Sequence, residues 1–269
     1  MMNEDFDFYV DKRDLKRIKD KDLFETVEEV FDTKTIMTLY NLMRKKIIYR
    51  MNGVISAGKE SRVYLAYGYK GEKLAVKIYL IATAVFKKGI LKYIIGDPRF
   101  EGFRPSDTRK LIYMWTRKEF RNMKRMYDAG VKVPRPIAFL NNVLVMEFLG
   151  EDGKRYPLLI EVYKDLDLEE LEEIYHKVLE ELEKIVCKAG LVHGDLSEYN
   201  IMVKPELDIA IIDVSQAVEL SHPNAYDFLV RDIENVNRFF REEAGIENIV
   251  DNEELLRRLK PCLEKIKEG

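Results

Sequence analysis

The sequence predicts an α+β protein, and three observations carry that prediction. A run of three strands with tight turns occupies residues 53–79, two amphipathic helices follow at about 111–127 and 168–185, and short β runs near 201–212 give way to helix from Ala225 onward. With 269 residues, 46% of them apolar and 35% charged, the composition is globular and excludes a fibrous or wholly disordered polymer. Forty-five Lys+Arg against 48 Asp+Glu give a net charge of -3, so any attraction to nucleic acid or membrane must be local.

Residues 1–31 are charge-dense without a sustained period and read as a charged arm or short helix. Asp32 or Thr33 can cap a helix running to about Lys46, whose stripe is Ile36, Leu39, Tyr40, Met43 and Ile47. The segments Gly53 to Gly58, Arg62 to Tyr67 and Leu74 to Tyr79 then alternate with turns as an antiparallel meander. Ile95 to Thr108 contains Gly96, Pro98, Gly102 and Pro105 without periodicity, the profile of a long loop. Leu111, Trp115, Phe120, Met123 and Met126 mark the next helix, closed by Gly130 and barred by Pro134 and Pro136. A strand covers Val143 to Phe148 after the Asn141-Asn142 turn. Asp167 caps a helix whose inward residues are expected to be Leu168, Leu171, Ile174, Tyr175, Val178, Leu182 and Ile185, with Gly190 at its end. Ile201–Val203 and Ile209–Ile212 flank a turn at Lys204-Pro205.

Cys187 and Cys262 are too few for a disulfide framework or a zinc site and are expected to be free thiols in a reducing compartment. The apolar stretch Ile78 to Phe86 is about half of what a bilayer-spanning helix needs. The acidic, aromatic start is unlike a signal peptide, so a cytoplasmic location without membrane contact is expected.

The chemistry is carried by Asp195, Asn200 and Asp213. Asp195 and Asn200 stand in D-x-x-x-x-N spacing, and Asp213 closes an apolar strand thirteen residues later. Phosphoryl transfer needs a carboxylate to orient the attacking oxygen and two oxygen ligands for Mg²⁺. Lys77, within Ala75-Val76-Lys77 on the third strand, can anchor nucleotide phosphates, and Glu119, the single acidic residue between Thr108 and Tyr127, is its natural partner. The loop Ser56-Ala57-Gly58-Lys59-Glu60-Ser61-Arg62-Val63 stands where a Gly-rich phosphate loop would, with one glycine in place of three.

These stretches, with His193-Gly194-Asp195-Leu196-Ser197-Glu198-Tyr199-Asn200 and Ile212-Asp213-Val214-Ser215-Gln216, resemble the signature set of the RIO family of atypical protein kinases, in particular its first branch, over about residues 32–240. The resemblance implies a two-lobed protein-kinase-like fold with an antiparallel-sheet N-lobe (about 48–146), a hinge (about 147–157) and a small, mostly helical C-lobe (about 158–240), followed by a helical tail over 241–269. It implies ATP and Mg²⁺, with Mn²⁺ as a substitute, as cofactors. Asp195 would be the catalytic base, Asn200 and Asp213 the metal ligands, and Asp213 a phosphate acceptor. Ser56, Gly58, Lys59, Glu60, Val63, Ala75 and Lys77 would surround the nucleotide, with Met146 and the backbone of Glu147 and Leu149 at the adenine.

Departures from ordinary protein kinases are equally informative. His193-Gly194-Asp195 lacks the arginine that reads activation-loop phosphorylation, and Phe-Gly does not follow Asp213. With 56 residues after Asp213, peptide-docking helices are not expected, which favours an ATP-driven switch acting on a large partner. The family's role implies pre-small-subunit ribosomal particles, with RNA phosphates meeting residues 87–132, where 13 Lys/Arg face 5 Asp/Glu. Ser106 and Thr108 are candidate autophosphorylation sites. The rival expectation is a small-molecule phosphotransferase of the aminoglycoside- or choline-kinase kind, which shares His-Gly-Asp-Leu and a following Asn.

Overall fold

The computed structural model describes residues 32–80, 89–100, 102 and 107–264. The expected N-terminal arm, Ser106, the end of the apolar stretch after Leu80 and the last five residues of the tail lie outside them.

Helix α1 (Thr33–Arg44) begins because the Asp32 carboxylate accepts the Thr35 N–H at 2.9 Å and its hydroxyl at 2.8 Å, so Asp32 rather than Thr33 is the cap. The meander follows as β1 (Arg50–Ala57), β2 (Ser61–Tyr67) and β3 (Lys73–Tyr79), with β1 starting earlier than its glycine suggested. Helix α2 (Thr108–Asp128) is capped by Asp107. Two strands come next, β4 (Pro136–Leu140) and β5 (Val143–Glu147), completing one antiparallel sheet of order β1–β2–β3–β5–β4. Strand β4 was not expected, since Pro136 reads as a breaker. At the sheet edge, however, a strand tolerates a first-position proline, whose missing N–H is not needed by the ladder.

One face of the sheet buries Val76 and Ile78 against Leu39 and Leu42 of α1. The residues between them, Ala75 and Lys77, point to the other face. A small hairpin, β6 (Gly150–Glu151) and β7 (Lys154–Arg155), and a one-turn helix α3 (Leu159–Val162) lead into α4 (Leu168–Glu183). A reciprocal capping box fixes the start of α4: Asp167 accepts the Glu170 N–H, and Glu170 accepts the Asp167 N–H, each at 2.9 Å. Leu168 does not face inward as expected. As the first helical residue it lies before the stripe turns onto the core and is 59% exposed. A π-turn (Lys184–Lys188) extends the helix toward Gly190.

The rest of the body comprises β8 (Leu191–Val192), the β9 (Ile201–Val203)–β10 (Ile209–Ile211) hairpin, β11 (Val218–Glu219) paired with β8, and helices α5 (Ala225–Arg238) and α6 (Asn252–Glu264). Its core is continuous from Leu111 and Trp115 of α2 through Ile174 and Leu182 to Phe239 and Leu259.

The expectation of free thiols is overturned. Cys187, on the π-turn, and Cys262, on α6, form a disulfide across 75 positions. The fold brings the Cα atoms to 5.0 Å by packing α6 on that turn, a closeness that sequence separation conceals.

Candidate active site

A cavity of about 290 Å³ opens between the sheet and the helical body. Its roof is Ile55, Ser56, Gly58 and Val63 from the meander, its back Ala75 and Met146, and its floor Met202 and Ile212. Lys77, Glu119, Asn200 and Asp213 converge there, as do Glu147 and Leu149 at the strand exit. Lys59 and Glu60 do not line it, contrary to expectation. The turn between β1 and β2 is closed by a Gly58 N–H to Ser61 carbonyl bond of 2.9 Å, and Lys59 and Glu60 are both exposed on it. Glu60 still senses the cavity: partial burial raises its pKa, the Asp213 carboxylate adds to this, and Lys77 opposes it.

Lys77 occupies the centre. Its Nζ donates to Glu119 Oε1 at 2.8 Å and to Asp213 Oδ1 at 3.1 Å. Burial alone would strip its proton, but Asp213 and Glu119 overcome that and hold its pKa well above the ordinary value. Glu119 also accepts a short hydrogen bond from the Tyr79 hydroxyl. One cation is thus shared by two carboxylates from a helix and a loop 94 positions apart in sequence, so β3, α2 and the 213 loop are tied at one atom.

Asp213 sits at the end of β10 with φ 56° and ψ 60°, a left-handed backbone that is strained for a residue with a side chain. Its Oδ1 accepts from Lys77 and from the Ser215 hydroxyl, the latter at 2.9 Å, and its side chain is 49% exposed to the cleft. Burial would raise its pKa, but Lys77 and the Ser215 hydroxyl bring it below the ordinary value, so it stays ionised. Asn200 donates its amide to the Asp195 carbonyl at 2.7 Å, which aims its Oδ1 elsewhere. Asn200 Oδ1 and Asp213 Oδ2 therefore remain as two hard oxygen donors in one cavity. That set suits Mg²⁺, which keeps water and phosphate oxygens in its remaining positions. Among the described residues no cluster of three or more His, Cys, Asp or Glu forms a closed metal cage.

Asp195 is not among the residues that line the cavity; it stands beside it, its Oδ2 accepting the Gln216 amide at 2.9 Å. Burial raises its pKa above the ordinary value against the pull of Arg231, with Asp213 adding to the rise. A carboxylate so poised takes a proton more readily than a solvated one. Gln216 Oε1 is buried without a partner, an open acceptor beside Asp195. At the strand exit, the Glu147 N–H is taken by the Arg135 carbonyl at 2.9 Å, so of the Glu147 backbone groups only the carbonyl is left for a base. Thr108, one of the two hydroxyls singled out, is the first residue of α2 beside its Asp107 cap.

Sequence reasoning missed the residues that hold this apparatus in place. Asp232 of α5, fully buried, accepts the Gly194 N–H at 2.7 Å and the Leu196 N–H at 2.9 Å, clamping the backbone on both sides of Asp195. Lys118 of α2, fully buried over the Trp115 ring, donates to the Ser215 carbonyl at 2.8 Å and to that of Ala217. Asn122, one turn on, donates to the Val214 and Ala217 carbonyls at 2.9 and 2.8 Å. The helical spacing of Lys118 and Asn122 was visible, but nothing local said that both faced the loop after Asp213.

A five-stranded antiparallel sheet over a helical body, with a Lys–Glu pair above an Asp/Asn/Asp set in the intervening cleft, defines the protein-kinase-like class of folds. Within that class, residues 62–255 match the RIO domain model, and the chain belongs to the RIO family. Its similarity is to the first branch. It is 42% identical over 229 residues to the RIO-type serine/threonine-protein kinase Rio1 of Haloferax volcanii, covering 85% of this chain and 76% of that one. To serine/threonine-protein kinase RIO1 of Homo sapiens it is 42% identical over 232 residues, 86% of this chain and 40% of the human protein. Against RIO1 of Caenorhabditis elegans the figures are 41% over 231 residues, 86% and 45%. The chain thus spans less than half the length of these two animal relatives. Among solved structures, the Rio2 kinase–ADP/Mg²⁺–phosphoaspartate complex of Chaetomium thermophilum shares the fold, with a TM-score of 0.65 and 24% identity over 88% of this chain and 71% of that one.

Proposed function

We propose that this protein is a Mg²⁺-dependent, ATP-using atypical serine/threonine kinase or ATPase that acts in maturation of the small ribosomal subunit. The observation that carries the chemistry is the convergence of Lys77, Glu119, Asn200 and Asp213 on one cavity, with Asp195 tied beside it by the Asn200 amide on its carbonyl and the Gln216 amide on its carboxylate. Relatives named as serine/threonine-protein kinases support the reading. Asn200 Oδ1 and Asp213 Oδ2 would hold Mg²⁺, which when bound supplies charge neutralisation on the phosphates. Lys77, held by Glu119, orients the nucleotide, and Asp195 accepts the proton of an attacking hydroxyl or water.

The alternative acceptor is Asp213 itself. In this route Asp213 Oδ2 attacks the γ-phosphorus in place of its role toward the metal, and an acyl phosphate forms as the bond to the departing ADP oxygen breaks. Water, deprotonated by Asp195, then releases phosphate and restores the carboxylate. A structure of the related Rio2 described as a phosphoaspartate complex supports this route.

The partner reading rests on α2. Arg117, Arg121, Lys124 and Arg125 are exposed along it; Lys124 and Arg125 pair with Asp128 and Glu219, each at 2.8 Å, which leaves Arg117 and Arg121 as the charges open to phosphates. The test is turnover of γ-labelled ATP by the full chain with Mg²⁺, alone and with immature small subunits. Particle-stimulated phosphate release with hydroxylamine-labile label on the protein is expected. Asp195→Asn should lower the rate by about 100-fold or more, and an unchanged rate would sink the proposal.

A further inference from the structure

The described surface carries a second concentration of positive charge, at the opposite sheet edge from α2. It is formed by the end of α1, the start of β1 and the β2–β3 turn. Over residues 43–50 and 67–73 there are six cations, Arg44, Lys45, Lys46, Arg50, Lys70 and Lys73, against one acid, Glu72. Glu72 is folded back on its own turn, accepting the Lys70 N–H at 2.8 Å. None of the six cations has an ion pair among the described residues.

Aromatic rings are interleaved with this charge. Tyr49 and Tyr69 stand 5.4 Å apart at 72°, and they are 63% and 51% exposed. Arg50 lies 5.1 Å over the Tyr67 ring and Arg44 5.9 Å over Tyr40. The platform is built, not incidental. The Tyr49 N–H bonds the Tyr67 carbonyl of β2 at 2.7 Å, and the Tyr69 hydroxyl on the β2–β3 turn bonds the Met43 carbonyl of α1 at 3.4 Å, so the first ring is tied to the sheet and the second to the helix. Both rings lie outside the core beneath and stand in solvent among cations that have no ion pair among the described residues.

We infer that this edge is a binding site for single-stranded nucleic acid. Unpaired cations at this density select a polyanion, and open ring faces select one that carries π-faces of its own. An edge-to-face pair presents two differently directed faces, which splayed bases of a single strand can meet and the stacked bases of a duplex cannot. An acidic peptide would satisfy the charge and leave both rings in water. The inference does not rest on the phosphoryl-transfer reading: none of the six cations, nor Tyr49 or Tyr69, lines the cavity, although the Lys73 carbonyl accepts the N–H of Phe148, which does.

The test uses the full chain and fluorescence anisotropy with labelled twelve-residue oligo(U) and oligo(dT), with heparin as a base-free polyanion. Both oligonucleotides should bind at low salt. Tyr49→Ala with Tyr69→Ala should weaken both by roughly 10- to 100-fold, leaving heparin binding and ATP turnover unchanged. Lys45→Ala with Lys46→Ala should reduce the slope of log affinity against log salt by about 1.4. Three results overturn the inference: no oligonucleotide binding, binding indifferent to the tyrosine pair, or binding lost through Arg117→Ala with Arg121→Ala on α2 instead.

Discussion

Asp232 and His193 show how much of the site is set by burial rather than by charge partners. Burial lifts the Asp232 carboxyl to about 7 despite two backbone N–H donors, and burial drops the His193 imidazole to about 4. The raised Asp232 contributes stability that is present below its unfolded value of 3.8 and is lost as pH rises toward 7. The depressed His193 contributes stability that is present above 6.5 and is lost as pH falls toward 4. Each slope is about 1.4 kcal/mol per pH unit and they have opposite signs, so between about 4 and 6.5 they cancel. Asp232→Asn removes one slope, and the denaturation midpoint of that variant should climb with pH across that window relative to the parent's. A variant profile parallel to the parent's would contradict the assignment. The two groups differ in legibility. His193 was quoted within a motif, whereas Asp232 sits 37 positions after Asp195 on a helix whose other residues are ordinary. An aspartate that serves two distant N–H groups leaves no local pattern.

Helix α2 does three jobs within residues 118–122, little more than one turn. Glu119 holds Lys77, Lys118 and Asn122 hold the carbonyls of residues 214–217, and Arg99 reaches Asn122 Oδ1 at 2.7 Å from the turn before the helix. The helix therefore cannot shift without moving the loop that carries Asp213, which is consistent with a site that reads no activation-loop phosphate. Lys118→Met leaves the Ser215 carbonyl without a donor at a cost of about 1–3 kcal/mol. It should lower the maximal ATP turnover rate more than it changes ATP affinity, and equal effects on both would show that the lysine only supports the core. Conversely, Lys77→Met should abolish nucleotide positioning and raise the apparent KM for ATP. The amphipathic period made α2 legible, and the uniqueness of Glu119 made its main contact legible. Strand β4 and the outward turn of Leu168 were not, since edge placement and helix start are properties of the assembled sheet and body.

At the scale of the molecule, the meander, the following helices and the residues of the cleft were readable because phosphoryl transfer uses few residue types at tight spacing. The disulfide was not, because two cysteines 75 positions apart become neighbours only once α6 has packed. In the chain-entropy account, closing a loop of that length restricts the unfolded chain by about 4 kcal/mol. Reduction, or Cys187→Ser, should lower the urea midpoint accordingly, and an unchanged midpoint would mean the bridge adds nothing.

The bridge has a further consequence, because Asp195, Asn200, Asp213 and Asp232 all lie between its two ends. The catalytic half of the molecule is a covalent ring. A protease that cuts once within 188–261, for instance at the Lys204–Asp208 turn, opens the ring without releasing a fragment. The nicked protein should run as one band on a gel without reductant and split into two when thiol is added.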